Sequence, residues 1–329
     1  MNRQKEHVVV GIGAANVDVH GRSKNPIVMR DSNPGLLCTS VGGVTRNILE
    51  NLVRQGVSAV LLTAVGDDVY GEKILRDSAA AGIDVSHVLL KRGVTSSCYI
   101  SMLDDRGDML LGMSDMRIIQ GLTGAYLDAN GALLQSADAI VCDACLPVRF
   151  LDELASGAAR GTRVLIDPVS TAYARQMEPI AGKFFGIKPN EMELAVLSGR
   201  PTGTEAEIES ACEALLERGV FCIAVSRGER GCYYADANGT RLFRALRPVK
   251  TMANATGAGD AFMAGFVHGL IDEMPEEERL DYALASGIAA IESVSTINPE
   301  MSDALVRNNI KRYRLNGNQT AKKEKRNDE

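Results

Sequence analysis

Asn254-Ala255-Thr256-Gly257-Ala258-Gly259-Asp260 runs without a break into Ala261-Phe262-Met263-Ala264-Gly265-Phe266-Val267-His268-Gly269-Leu270. A loop of small residues opens directly into an apolar helix. Gly257 and Gly259 let the backbone turn so that successive N–H groups point the same way. With the unpaired N–H groups of the helix start, and with Ala258 between the glycines, they make a place for an anion. Asp260 falls in the first helical turn beside that place. An acid there can take the proton of an attacking hydroxyl while the N–H groups stabilise charge on a phosphoryl group. The plainer reading is an acid that only answers the helix dipole. The loop alone leaves both readings open.

Outward from this stretch, strand-like and helix-like segments alternate. Residues 7–12, 59–65, 139–142, 163–166 and 222–226 read as strands. Residues 47–55, 71–81, 150–159, 205–218, 261–271 and 281–293 read as helices. This rhythm predicts an α/β chain with a mostly parallel sheet covered on both faces. Two stretches break it. Residues 14–40 are polar and carry the turn signal Asn33-Pro34-Gly35, and residues 97–114 flank Asp104-Asp105-Arg106-Gly107-Asp108 as a hairpin would. The two predict a small separate β-sheet, drawn from residues 14–44 and 93–116, that closes over a site as a lid. The charged tail 314–329 reads as disordered, and the whole of 1–329 as one domain without internal repeats.

Composition narrows the classes. Apolar residues make up 45% of the 329 residues, enough for a large core, and the formal charge of −6 argues against a nucleic-acid partner. Met1 to His7 is polar, and no apolar run approaches the ~20 residues that cross a bilayer, so neither a leader nor a membrane anchor is expected. Seven dispersed cysteines suggest reduced thiols and a cytoplasmic protein. Cys142 and Cys145 form a lone CxxC, better read as a buried strand end than as a metal or redox site.

Gly257-Ala258-Gly259-Asp260 opening a small-residue helix resembles the C-terminal signature of the ribokinase-like (PfkB) sugar and nucleoside kinases. Gly42-Gly43, Asn47, Gly56 and Gly66 resemble that family's other signature, in the right order. The resemblance covers residues 7–312. It implies a doubly wound domain with a β lid, ATP and Mg2+ as cofactors, and a hydroxymethyl acceptor. Asn16 and Asp18 then match the pair that holds sugar hydroxyls, with Gly42, Gly43 and Asn47 beside the acceptor. Asn190 and Glu193 match the N-x-x-E motif, in which the Glu positions Mg2+ through water. The same residues also read as a capping box. Ser226, Gly228 and Gly231 match the glycine turn facing ATP, and Asn254 and Thr256 fall on the nucleotide side of the C-terminal motif. Tyr233-Tyr234 reads as strand core rather than an adenine platform. Arg46 is a candidate phosphate contact or a solvated helix start. His20, His87 and His268 form no spaced cluster and receive no role.

The chain departs from the family pattern at three places. Asn254 stands where Asp is usual, which weakens any support for a monovalent cation such as K+. Ala255 and Leu49 replace a β-branched or polar residue and a small one. The anion hole and the acid are kept, so activity is expected. Asp31-Ser32-Asn33-Pro34-Gly35, Gly42 to Asn47, Ser114-Asp115-Met116 and Thr95-Ser96-Ser97 resemble a subgroup that phosphorylates the 5′-hydroxyl of pseudouridine. Ser32, Asn33 and Asp115 are then the expected readers of the C-linked base. The resemblance also implies a homodimer formed through the lid.

Rival classes fare less well. Gly11-Ile12-Gly13-Ala14-Ala15-Asn16 nearly spells a dinucleotide-binding GxGxxG, with Asp31 at the ribose distance. Asn16 replaces the third glycine, and the following residues are not helical. No glycine loop is followed by GK[ST], which removes a P-loop NTPase. A non-catalytic sugar or nucleoside sensor would be free to lose Asp260, and this chain keeps it. Ribose, adenosine and inosine remain alternative acceptors within the family.

Overall fold

The computed structural model describes residues 7–158, 161–246, 249 and 252–313. The expected disordered tail lies outside the described residues. In chain order the strands are β1 (Val8–Ile12), β2 (Asn16–Ser23), β3 (Gly35–Gly42), β4 (Ser58–Leu62), β5 (Ala64–Gly66), β6 (Leu89–Lys91) and β7 (Cys98–Leu103). They continue with β8 (Met109–Asp115), β9 (Ala139–Asp143), β10 (Val164–Asp167), β11 (Gly186–Ile187), β12 (Cys222–Ser226), β13 (Cys232–Asp236) and β14 (Arg241–Arg244).

Eight strands form the main sheet in the order β14-β13-β12-β11-β10-β9-β1-β4. From β12 to β4 every pairing is parallel, while β13 and β14 add an antiparallel edge. The strands are apolar because both faces are covered, and their two-residue period sorts side chains between two cores. In β9, Ala139 and Val141 join the core under the helices Val44–Arg54, Ala258–Ile271 and Glu276–Ile291. Ile140 and Cys142 join the core under Glu191–Ser198 and Glu205–Glu217. Strand order reverses at β1, which has β4 on one side and β9 on the other. Such a reversal opens a crevice at the carboxyl ends of the strands.

The lid is a separate sheet, β3-β2-β7-β8. β2 pairs antiparallel with β3 and parallel with β7, and β7 pairs antiparallel with β8. Residues 14–40, polar in sequence, therefore hold two long strands joined across the Pro34-Gly35 turn.

Several expected boundaries shift. The predicted strand 59–65 is two strands, because β4 stays in the main sheet while β5 leaves it to pair with β6. The helix expected at 261–271 begins at Ala258, inside the glycine loop. The helix expected at 281–293 is Glu276–Ile291. Three glutamates after Pro275 look like a loop in sequence but are favourable in a first helical turn, where they meet the dipole. The antiparallel edge strand β14 was not foreseen. Tyr233 and Tyr234 are both buried in β13. All seven cysteines are free, Cys142 is buried, and no metal-holding cluster occurs among the described residues. No helix among the described residues is long and apolar enough to cross a membrane.

Asp143, fully buried at the end of β9, ties this crevice together. Its Oδ2 accepts from the Ala14 N–H at 3.0 Å and from Thr45 Oγ1 at 2.7 Å, and its Oδ1 accepts from the Cys145 N–H at 3.1 Å. Gly13 leaves room for it. A Cβ there would lie 2.1 Å from Thr45 Oγ1 and 2.2 Å from Asp143 Oδ2. We expect Gly13→Ala to lower unfolding stability by about 1–3 kcal/mol, as overpacking does, measured by urea denaturation; an unchanged midpoint would contradict this packing.

Candidate active site

The helix Ala258–Ile271 starts at Gly257, which takes φ 82°. A Cβ on Gly257 would lie 2.2 Å from the Thr296 carbonyl oxygen, so only glycine fits the turn. No side chain caps this helix, so no side chain competes with an anion for its first N–H groups. Asp260, in the first turn, accepts a hydrogen bond from Asn47 Nδ2 at 2.9 Å. The two residues are 213 positions apart and are joined because their helices pack on the same face of the main sheet. Burial pushes the Asp260 carboxyl up to about 7, and Asp167 adds to this. The Asn47 hydrogen bond and the Lys188 charge pull the other way.

Lys188 is the buried cation of the site. Its Nζ lies 2.8 Å from Asp167 Oδ2 and 3.1 Å from where a Cβ on Gly259 would stand. Burial pulls the ammonium's pKa down, yet Asp167, with Glu193 and Asp260 behind it, holds it above its ordinary value. Asp143 and Asp167 are register partners at the ends of β9 and β10. Lys188, Asp167 and Asp143 were given no role from sequence. Acids ending consecutive parallel strands were the signal available for the last two.

On the lid side, Asn16, Asp18, Gly42 and Gly43 come together. Asn16 and Gly42 are register partners, and Asn16 Nδ2 donates to Asp18 Oδ1 at 2.6 Å. A Cβ on Gly42 would lie 2.2 Å from Asp18 Oδ2, and Gly43 takes φ 105° with the Ala14 carbonyl beside it. Burial raises the Asp18 carboxyl, while Asn16, His20 and Arg46 lower it.

Other expected acceptor residues sit elsewhere. Asn33 stitches its own turn, its Oδ1 accepting from the Val28 N–H at 2.8 Å and its Nδ2 donating to the Val28 carbonyl at 2.9 Å. Ser32 is exposed beside it. Asp115 is half-buried and accepts from Arg117 Nη2 at 2.6 Å, which holds its carboxyl down at about 2. Arg46 is buried, ion-paired to Glu50 and 3.3 Å from Ser78 Oγ. A cavity of about 1040 Å³ lies under the lid. Asp18, His20, Ser40, Tyr99, Ser101 and Arg46 line it, and it reaches Asn254 and Thr256 on the other side. Neither Ser32, Asn33 nor Asp115 lines it. The register explains why: Asp18 opposes Tyr99 and Ser40, and His20 opposes Ser101, so these side chains share one face of the lid.

Just beyond β11, Asn190 and Glu193 form a reciprocal capping box. Asn190 Oδ1 accepts from the Glu193 N–H at 2.9 Å, and Glu193 Oε2 accepts from the Asn190 N–H at 2.9 Å. Asn190 also donates from Nδ2 to Glu193 Oε1 at 2.9 Å, so both carboxylate oxygens are engaged. Burial raises the Glu193 carboxyl. Asn190 bridges to Ser226, the last residue of β12. Beyond it the chain turns with Gly228 at φ 57° and Gly231 at φ 89°, and a Cβ on Gly231 would lie 1.9 Å from the Arg244 carbonyl oxygen. Asn254 Oδ1 accepts from the Thr256 N–H at 2.9 Å, and its Nδ2 donates to the Val294 carbonyl at 3.2 Å.

Residues 6–303 match the pfkB family carbohydrate kinase. Pseudouridine kinase of Escherichia coli (strain K12) is 36% identical over 305 residues, 92% of this chain and 96% of that protein. The structure of Arabidopsis thaliana ribokinase complexed with ribose and ATP has a TM-score of 0.81 at 19% identity, covering 94% of this chain and 99% of the other. A putative ribokinase II from E. coli, in complex with ATP and Mg2+, has a TM-score of 0.79 at 20% identity, covering 93% and 99%. These two likenesses bear on the fold alone. Because the family match spans nearly all of the sheet and lid described above, the chain belongs to the pfkB family carbohydrate kinases, phosphotransferases with an alcohol acceptor.

Proposed function

We propose that this kinase transfers the γ-phosphoryl group of ATP to the 5′-hydroxyl of pseudouridine, with Asp260 as general base. The observation that carries the mechanism is the Asn47–Asp260 contact beside an uncapped helix start. Asn47 orients the carboxylate, and Asp260 takes the acceptor proton as its oxygen attacks. The N–H groups of the Gly257-Ala258-Gly259 turn stabilise the charge of the phosphoryl group in flight, and the Lys188 ammonium adds to that field. Asn47 Oδ1 is buried and has no partner among the described residues, which suits a site that receives a donor hydroxyl. Asn16 and Asp18 offer paired amide and carboxylate groups to vicinal ribose hydroxyls. When bound, ATP with Mg2+ would supply the phosphoryl group and neutralise part of its charge. The glycine turn at Ser226–Gly231, with Asn190, Asn254 and Thr256, suits the nucleotide. Both Glu193 oxygens are already engaged, so a hold on Mg2+ through water fits it better than direct ligation. The pseudouridine reading rests on the 36% identity to a pseudouridine kinase, with other sugar or nucleoside alcohols as the alternative acceptors.

Purified protein with ATP and Mg2+ tests this against pseudouridine, uridine, ribose and adenosine. Preference for pseudouridine is expected; turnover confined to ribose or adenosine would overturn the acceptor. Asp260→Asn should lower kcat by about 10²–10⁴-fold, the usual share of a general base, and near-normal kcat would overturn the mechanism.

The same substitution has a signed effect on stability. A carboxyl raised from 3.8 to about 7 in the fold stabilises it relatively at low pH, and that contribution is lost as pH rises through 7. Asp260→Asn removes the buried charge, so its melting temperature should exceed wild type at pH 8 by more than at pH 5. A difference that does not grow with pH would show that burial does not set this carboxyl.

We also propose that a second copy covers the outer face of the lid. Leu37, Ile100, Met102, Leu111 and Met113 are exposed there, and register places them on one face. An exposed apolar sheet face of this kind is costly without a partner. Sedimentation should give a dimer that Met113→Asp dissociates, and a wild-type protein that is only monomeric would reject the interface.

A further inference from the structure

We propose that His20 and Ser101 read the base of the acceptor, with His20 Nε2 accepting the ring N–H that distinguishes a C-linked uracil from an N-linked one. The inference rests on the nucleoside reading above and moves the expected specificity residues from Ser32, Asn33 and Asp115 to the inner face of the lid.

The placement comes from the register. Asp18 and His20 are two residues apart on β2, so they share a face and stand about 7 Å apart. Asp18 faces the proposed sugar position, and His20 is the next side chain outward on the same face. A base attached at C1′ extends beyond the ribose hydroxyls in this way. Ser101, the register partner of His20 on β7, is buried, and its Oγ lies 2.6 Å from His20 Nδ1. Both line the cavity with Asp18. The contact fixes the ring; in the tautomer that donates Nδ1–H to Ser101 Oγ, which this proposal assigns, Nε2 keeps its lone pair and is an acceptor.

The chemistry then discriminates. Uracil joined to ribose through carbon retains an N–H at ring position 1. Uracil joined through that nitrogen has none, and would leave the half-buried imidazole acceptor without that partner. Sites built to pair a polar group reject analogues that lack it far more strongly than apolar pockets reject a missing methylene. Nothing in the sequence marks His20, because its partner Ser101 lies 81 residues away.

Steady-state kinetics with pseudouridine and uridine, for wild type, His20→Ala, His20→Gln and Ser101→Ala, test this. Calorimetric binding of pseudouridine in the absence of ATP gives a readout besides turnover. Wild type should prefer pseudouridine by about tenfold or more in kcat/KM. His20→Ala should bring the two acceptors to within about twofold, through a higher KM and weaker binding for pseudouridine, with kcat and uridine little changed. His20→Gln, whose amide oxygen can accept the same N–H, should recover part of the preference, and Ser101→Ala should lose part of it. A preference unchanged in His20→Ala overturns the inference while leaving the nucleoside reading intact. An equal loss on both acceptors in all three variants also overturns it, as a merely structural effect. A wild type that phosphorylates neither nucleoside overturns the nucleoside reading and this inference with it.

Discussion

Several carboxylates and one ammonium held away from water at the carboxyl edge of the sheet set the terms for the rest of this structure. Asp143 and Asp167 end neighbouring strands, Asp260 opens the helix opposite them, and Lys188 stands between Asp167 and the glycine turn. Leaving one such charge unpaired in an interior is expensive, and each here has partners that offset the cost. Asp143 is satisfied by N–H and hydroxyl donors from three segments, so it works as a clamp. Asp167 is satisfied by Lys188. Asp260 is the least satisfied of the three, with Asn47 as its one side-chain donor among the described residues, and burial drives it toward neutrality. A carboxyl is raised toward neutral pH in this way, by withholding partners rather than adding them.

The backbone is arranged around that edge. Gly13, Gly43 and Gly257 stand where a side chain would collide with Asp143, the Ala14 carbonyl or Thr296, and a Cβ on Gly259 would press on the Lys188 ammonium. The two glycine turns and the buried charges approach one another at backbone distance for that reason. The helices carrying Asn47 and Asp260 bury their apolar residues in one core on the same face of the sheet, so the contact between these residues is held by that core. Side chains on helices anchored this way keep their geometry.

The lid answers a different constraint. It is a sheet of only four strands, and its two faces have different characters. The inner face carries Asp18, His20, Tyr99 and Ser101 toward the cavity, while the outer face exposes Leu37, Ile100, Met102, Leu111 and Met113. A single strand period separates the two sets, so a shift of one residue in register would exchange them. The β2–β7 pairing, parallel and 81 residues apart in sequence, is what keeps Asp18 and its neighbours on the inside.

How far the chain could be read depended on the range of the interactions involved. The glycine loop with its first-turn acid, the Gly42-Gly43 turn, the Asn190–Glu193 cap and the strand–helix alternation are local patterns, set by backbone conformation and side-chain period within a few residues. They were legible for that reason, together with the α/β class and the presence of a lid. Helix starts were misplaced where charge hid them, as at Glu276 to Glu278 and Thr45-Arg46, because buried or dipole-facing polar residues look like loop in a linear pattern. The partners of several lid and site side chains were not legible. Asp115 turned to its neighbour Arg117, Asn33 closed its own turn, and Arg46 went to Glu50, all of them short-range contacts. His20, Ser101, Lys188 and Asp167 gained their partners only when distant strands paired. Which face a side chain occupies follows from strand register, and register is a property of the folded pair, so the tertiary structure alone decided the inside of this site.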